Sequence, residues 1–189
     1  MVILLGAESN TGKTLMAQKL MEKYSTPYFS IDLLKMGLYR ADINCGFTPT
    51  DSHEHIESKL FPILKGMIET TIENNQNLII EGAYILPHRL KEFSDEYRKM
   101  IIPVFMGFSE DYIKNHFDSG IIKNSSIIES KDYSIDWTLE WFIEGNMKLK
   151  EQCLLNSAKY FEIESDYHQE ISKIYKWIDS EIIKINFKC

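Results

Sequence analysis

Gly6-Ala7-Glu8-Ser9-Asn10-Thr11-Gly12-Lys13-Thr14 ends in the Gly-Lys-Thr of the pattern G-x-x-x-x-G-K-[ST], with Ala7 in the place of the pattern's first glycine and Gly6 one residue earlier. An apolar run, Val2 to Leu5, precedes it, and a segment of helical period, Lys13 to Tyr24, follows it. This strand-loop-helix setting is what a phosphate-binding loop requires. Gly6 and Gly12 allow the backbone to curl around an anion, so that successive N–H groups and the helix N-terminus point inward. Ser9, Asn10, Thr11, Gly12, Lys13, Thr14 and Leu15 are then the expected cradle. Lys13 reaches the β- and γ-phosphates of ATP, and the Thr14 hydroxyl ligates Mg²⁺. The loop by itself leaves open whether the γ-phosphate passes to water, to an acceptor, or nowhere.

Outward from the loop, short apolar runs alternate with longer amphipathic segments, the signature of an α/β chain with a parallel sheet. Strands are expected at Val2 to Leu5, Tyr28 to Ile31, Leu78 to Ile80, Ile101 to Phe105 and Tyr160 to Ile163. A long helix capped by Asp51 or Ser52 carries Ile56, Leu60, Leu64, Met67 and Thr71 on one stripe, with a kink expected at Pro62. Further helices are expected after Pro87, from Glu110 to Phe117, from Asp136 to Ala158 and from Tyr167 to Ile185. The polar stretch between the last two strands, about 116–136, has repeated serines and no clear period, and reads as a lid.

Bulk properties narrow the class. With 189 residues, 44% of them hydrophobic, the chain suits one domain spanning 1–189. A net charge of −7 argues against a nucleic-acid partner, because a phosphate backbone is gripped by lysine and arginine. Cys45, Cys153 and Cys189 form no ligand spacing or disulfide framework, which suits a reducing cytoplasmic setting. No stretch approaches the roughly 18 apolar residues of a membrane helix, so no membrane association is expected.

Two carboxylates fall at strand ends, on the edge where open α/β sheets bind ligands. Asp32 follows Ser30-Ile31 at the end of the second strand. It is placed to accept the proton of an acceptor hydroxyl or to hold a metal through water. The blander alternative is that it caps a helix beginning at Leu33. Arg40 lies two helical turns beyond Asp32 on the same face, positioned to hold an anionic acceptor. Glu81-Gly82 closes the third strand. Glu81 is a candidate ligand for Mg²⁺ through water or an orienter of the acceptor, and Gly82 lets the chain turn beside the phosphates.

Together, the N-terminal glycine loop, Ser-Ile-Asp after the second strand, Glu-Gly after the third and the lid-like stretch resemble the nucleoside-monophosphate-kinase-like group of P-loop kinases. That group includes adenylate and shikimate kinases, chloramphenicol phosphotransferase and zeta-toxin-like kinases. The run Ile80-Glu81-Gly82-Ala83-Tyr84-Ile85-Leu86-Pro87 is most similar to the corresponding segment of 2-phosphoglycerate-kinase-like proteins. The resemblance implies a sheet ordered 2-3-1-4-5, Mg-ATP on the loop, an acceptor-binding insert at about 33–75 and a lid at about 116–136. It also implies a substrate-phosphate role for Arg89. The lid departs from the group's pattern: the arginines of this chain are Arg40, Arg89 and Arg98, and the lid offers Lys123 and Lys131 instead, with Lys114 and His116 just before it.

His53-Glu54-His55 is discounted as a metal site because residues two apart do not share a helix face. Trp137, Trp141 and Phe142 read as core rather than substrate cage, Tyr133, nearer the lid, is ambiguous between the two, and Glu164-Ser165-Asp166 falls where related kinases cradle adenine. The leading expectation is transfer of the γ-phosphoryl group of ATP to a hydroxyl of a small molecule. A nucleoside monophosphate kinase and a non-catalytic nucleotide sensor stand as alternatives, and the acceptor, the base preference and the oligomeric state are left open.

Overall fold

A computed structural model describes residues 1–123 and 138–186. Five strands, β1 (Val2–Ala7), β2 (Tyr28–Ser30), β3 (Leu78–Gly82), β4 (Ile101–Phe108) and β5 (Tyr160–Ile163), form one parallel sheet in the order β2-β3-β1-β4-β5. This is the order implied by the sequence resemblance. All six residues of central β1 are buried, as expected of a strand covered on both faces.

Alternation along β1 divides the core. Ile3 and Leu5 pack with Met16 and Leu20 of α1 (Lys13–Tyr24) and with Ile174 and Ile178 of the C-terminal helix. Val2 and Leu4 face the other way, toward Ile56, Leu60, Leu64 and Ile68. These belong to the long helix that follows α2 (Ile31–Ala41), namely α3 (His53–Glu73). Each such fully buried aliphatic side chain contributes about 1.5–3 kcal/mol. Ser52 is the cap of α3, its Oγ accepting from the His55 amide at 3.2 Å. The helix continues on both sides of Pro62, and Ile68 rather than Met67 completes its buried stripe.

Several boundaries differ from the sequence expectation. The second helix starts at Ile31, two residues before Leu33, with Ser30 in the N-cap position. Asp32 therefore sits in the first turn, where a carboxylate meets the positive end of the helix dipole, and is not the cap. After Pro87 the chain forms a 3₁₀ turn (Pro87–Glu92) and one short helix, α4 (Asp95–Arg98). Beyond β4, α5 (Glu110–His116) leads into a π-helical turn (Phe117–Ile122). The next helix, α6 (Leu139–Leu155), is capped by the Thr138 hydroxyl and is shorter than the span expected from Asp136 to Ala158. The chain returns through β5 to α7 (Tyr167–Asn186).

Most of the expected lid at about 116–136 lies outside the described residues, including Lys131 and Tyr133, as does Trp137. Among the described residues no helix is long and apolar enough to cross a membrane.

Candidate functional site

The glycine loop leaves β1 at Ala7 and re-enters regular structure at Lys13. Two residues hold left-handed backbone: Asn10 at φ 60° and Gly12 at φ 84°. Alternation of left- and right-handed residues turns successive N–H groups to one side and makes an anion-binding concavity. The Glu8 carbonyl ties the loop together, accepting from the Thr11 hydroxyl at 2.8 Å and from Lys13 Nζ at 3.4 Å. Lys13 is only 7% exposed, so its ammonium is held across the loop and not in bulk water. Asn10 Nδ2 is buried with no hydrogen-bond partner among the described residues. A buried donor of this kind fits a phosphate oxygen.

Beside the loop, the register places Leu5, Glu81 and Ser30 in one row across β1, β3 and β2. In-register residues of parallel strands share a face, and Leu5 packs against α1. Glu81 and Ser30 therefore lie on the face covered by the helix that the glycine loop opens. Glu81 is 1% exposed. Thr14 lies in the first turn of that helix and is half-buried. Among the described residues no three His, Cys, Asp or Glu side chains cluster as a metal cage. The donors at this edge are thus a hydroxyl and a carboxylate, a set that suits Mg²⁺ completed by phosphate oxygens and water.

Gly82 occupies a different place from the expected one. It is still within β3, in register with Gly6, and a Cβ there would come within 2.9 Å of Ile31 Cβ. Its lack of a side chain lets α2 pack close to the sheet, a structural role not read from the sequence.

Asp32 belongs to a cluster that the sequence did not reveal. Its carboxylate lies 3.4 Å from Lys35 Nζ. Lys35 also donates to the Tyr84 hydroxyl at 3.2 Å and lies over the Tyr84 ring, 5.3 Å from its centroid. His53 stacks on the Tyr84 ring, with centroids 4.5 Å apart and planes 18° from parallel. The His53 Nε2 donates to the Ala83 carbonyl at 3.1 Å, which fixes the tautomer. Burial pulls the Lys35 pKa down, but Asp32 and the Tyr84 phenol outweigh it, and the net shift is upward. Burial likewise raises the Tyr84 phenol, against the pull of Lys35. The cluster thus pairs a persistent ammonium with a neutral phenol beside a 39% exposed carboxylate.

The remaining candidates separate. Arg40 is exposed in the last turn of α2. Arg89 is engaged: its Nε and Nη2 donate to the Glu57 carboxylate at 2.7 and 2.8 Å, and Nη1 donates to Glu92 at 2.5 Å. Its guanidinium also stacks on Phe61, 4.6 Å from the ring centroid. The substrate-phosphate role implied for Arg89 finds no support in this arrangement. His55 bonds the Gly46 carbonyl at 2.8 Å and Glu54 pairs with Lys148 at 2.9 Å, so the His-Glu-His run points to three separate partners. Phe142 is fully buried, whereas Trp141 is half exposed, against its expected place in the core.

No family model matches the chain, and no curated protein matches it in sequence. Solved structures match over nearly its whole length. A shikimate kinase from Aquifex aeolicus superposes with a TM-score of 0.55 at 14% identity, covering 97% of this chain and 99% of that one. A deoxyadenosine kinase from M. mycoides gives 0.51 at 12% identity, covering 95% and 100%. A sugar kinase from Janibacter sp. gives 0.52 at 13% identity, covering 94% of each. The chain therefore has the fold of the P-loop small-molecule kinases.

Proposed function

We propose that the protein is a phosphotransferase that moves the γ-phosphoryl group of ATP to a hydroxyl group of a small molecule. The observation that carries this reading is the juxtaposition, at one sheet edge, of the Lys13 loop with the Asp32–Lys35–Tyr84 cluster at the start of α2. Phosphoryl transfer asks little covalent chemistry of a protein and depends on positioning and charge. The loop amides and Lys13 hold the β- and γ-phosphates. Asp32 accepts the proton of the attacking hydroxyl, and Lys35 with the Tyr84 phenol orients the acceptor. Thr14, and Glu81 through water, would hold Mg²⁺, which when bound neutralises charge across the phosphates.

A hydroxyl acceptor is favoured over a nucleoside monophosphate by the state of Arg89. Binding a phosphate dianion calls for bidentate arginines, and this one is taken up by Glu57 and Glu92. In this reading α2 and α3, which together overlap the expected insert at about 33–75, form the acceptor side. The free thiols of Cys45 and Cys153 suit a reducing cytoplasmic setting.

The test is ADP production across a panel of hydroxyl metabolites and nucleotides. At least one hydroxyl compound raises ADP production above the water rate, and Asp32→Asn removes that stimulation, by about 10²-fold or more. No stimulation by any acceptor, with Asp32→Asn unchanged from wild type, sinks the proposal.

A further inference from the structure

Tyr167 opens α7 immediately after the loop that follows β5. Its hydroxyl donates to the Thr11 carbonyl at 3.1 Å, a contact between residues 156 apart in the chain. The neighbouring position is shaped by the same group: a Cβ on Gly12 would lie 2.0 Å from the Tyr167 hydroxyl. The Tyr167 ring packs against the main core cluster and lies 6.4 Å from Phe108, centroid to centroid. Its side of the loop is therefore the protein side.

The Thr11–Gly12 peptide is trans, as no cis bond occurs among the described residues. In a trans peptide the carbonyl and the following N–H point in opposite directions. A Thr11 carbonyl drawn outward to Tyr167 turns the Gly12 N–H toward the other, concave side of the loop. Thr11 is held at its other end too, because its buried side chain donates to the Glu8 carbonyl. A left-handed glycine such as Gly12 otherwise has several accessible conformations, so the orientation of this peptide needs an external hold.

We propose that Tyr167 is a positioning residue for phosphate binding: its hydroxyl, by gripping the Thr11 carbonyl, keeps the Gly12 amide aimed into the phosphate loop. This inference rests on the phosphate-binding reading of the loop. Burial pushes the phenol up to about 12, so the group remains a proton donor throughout the physiological range. The ring alone would fill the same space, and the hydroxyl is what distinguishes positioning from packing.

The experiment compares wild type with Tyr167→Phe, which keeps the ring and removes the hydrogen bond. Calorimetric titration uses two probes, ADP and inorganic tripolyphosphate, with thermal melting of the nucleotide-free proteins as the fold control. Loss of about fivefold to tenfold in affinity for both probes is expected, the scale of one hydrogen bond. Equal affinities in the two proteins overturn the proposal while leaving the phosphate-binding reading intact. A loss for ADP without one for tripolyphosphate also overturns it, because the effect then lies at the base. A wild type that binds neither probe overturns both.

A second measurement does not depend on the variant folding. In wild type the Gly12 amide proton shifts downfield in a ¹⁵N-correlated spectrum on adding tripolyphosphate. An unchanged Gly12 resonance at saturation contradicts the proposed orientation.

Discussion

Replacing Arg89 by methionine separates a structural arginine from a substrate-binding one. Glu57 sits on α3 with its side chain only 4% exposed, while that of Arg89 is 24% exposed. The pair is fork to fork, with two bonds of 2.7 and 2.8 Å, and links α3 to the 3₁₀ turn after β3. Methionine keeps an apolar stem but removes the guanidinium stacked on Phe61 and strands a buried carboxylate. Removing one partner of such a pair costs about 3–5 kcal/mol, and the partial exposure of Arg89 points to the lower end, about 3 kcal/mol. With a urea m-value of about 2 kcal/mol/M the unfolding midpoint drops by about 1.5 M. Changing Glu57 to leucine in the same chain removes the stranded charge, and the double variant recovers most of the loss. Urea unfolding followed by circular dichroism reads all three proteins. A drop below about 0.5 kcal/mol in Arg89→Met, the range of an ordinary surface change, refutes the reasoning and returns Arg89 to the acceptor.

Three further outcomes follow from the charge pairs. Lys35→Met raises the acceptor KM about tenfold or more while leaving the ATP KM within about twofold, as expected of a group that touches only the acceptor. Because the Lys35 pKa is raised above its ordinary 10.5, its contribution to stability is complete below that value and is lost only as pH rises through the folded pKa. The difference in melting temperature between wild type and Lys35→Met should therefore be constant from about pH 6 to 9, and a decline across that range contradicts the pairing with Asp32. At the acid end, hydrogen bonds from Lys23 and Tyr24 hold the Asp179 carboxyl below its ordinary 3.8. The contribution of Asp179 is present above that value and disappears as pH falls through the folded pKa. Asp179→Asn should flatten the loss of stability below about pH 4, and an unaltered acid limb in a melting series argues against it.

Local signals made the sheet readable. The nine-residue glycine motif, the apolar runs and the strand-end acids are each written within a few consecutive residues, and Lys13 to Tyr24 is a helix with the limits its pattern sets. The start of α2 was misplaced because Asp32 and Ser30 are both good caps, and only the packing of Ile31 beside Gly82 decides between them. The Asp32–Lys35–Tyr84 cluster was illegible for another reason. Lys35 and Tyr84 are 49 residues apart, and His53 comes from a third element. The one available hint was Lys35 standing three residues after Asp32 on a helix, a spacing that pairs charges. The pairing of Arg89 was illegible because its partner Glu57 lies 32 residues away, beyond any local pattern.

The fate of the phosphoryl group tests the central claim most directly. The protein is incubated with Mg-ATP and the acceptor that best stimulates ADP production, and the mixture is followed by phosphorus NMR. The account predicts a growing phosphate monoester resonance in step with ADP, absent in Lys13→Ala and reduced in Asp32→Asn. ADP accompanied only by inorganic phosphate, at a rate the acceptor does not change, would contradict transfer and leave only a nucleotide-binding loop.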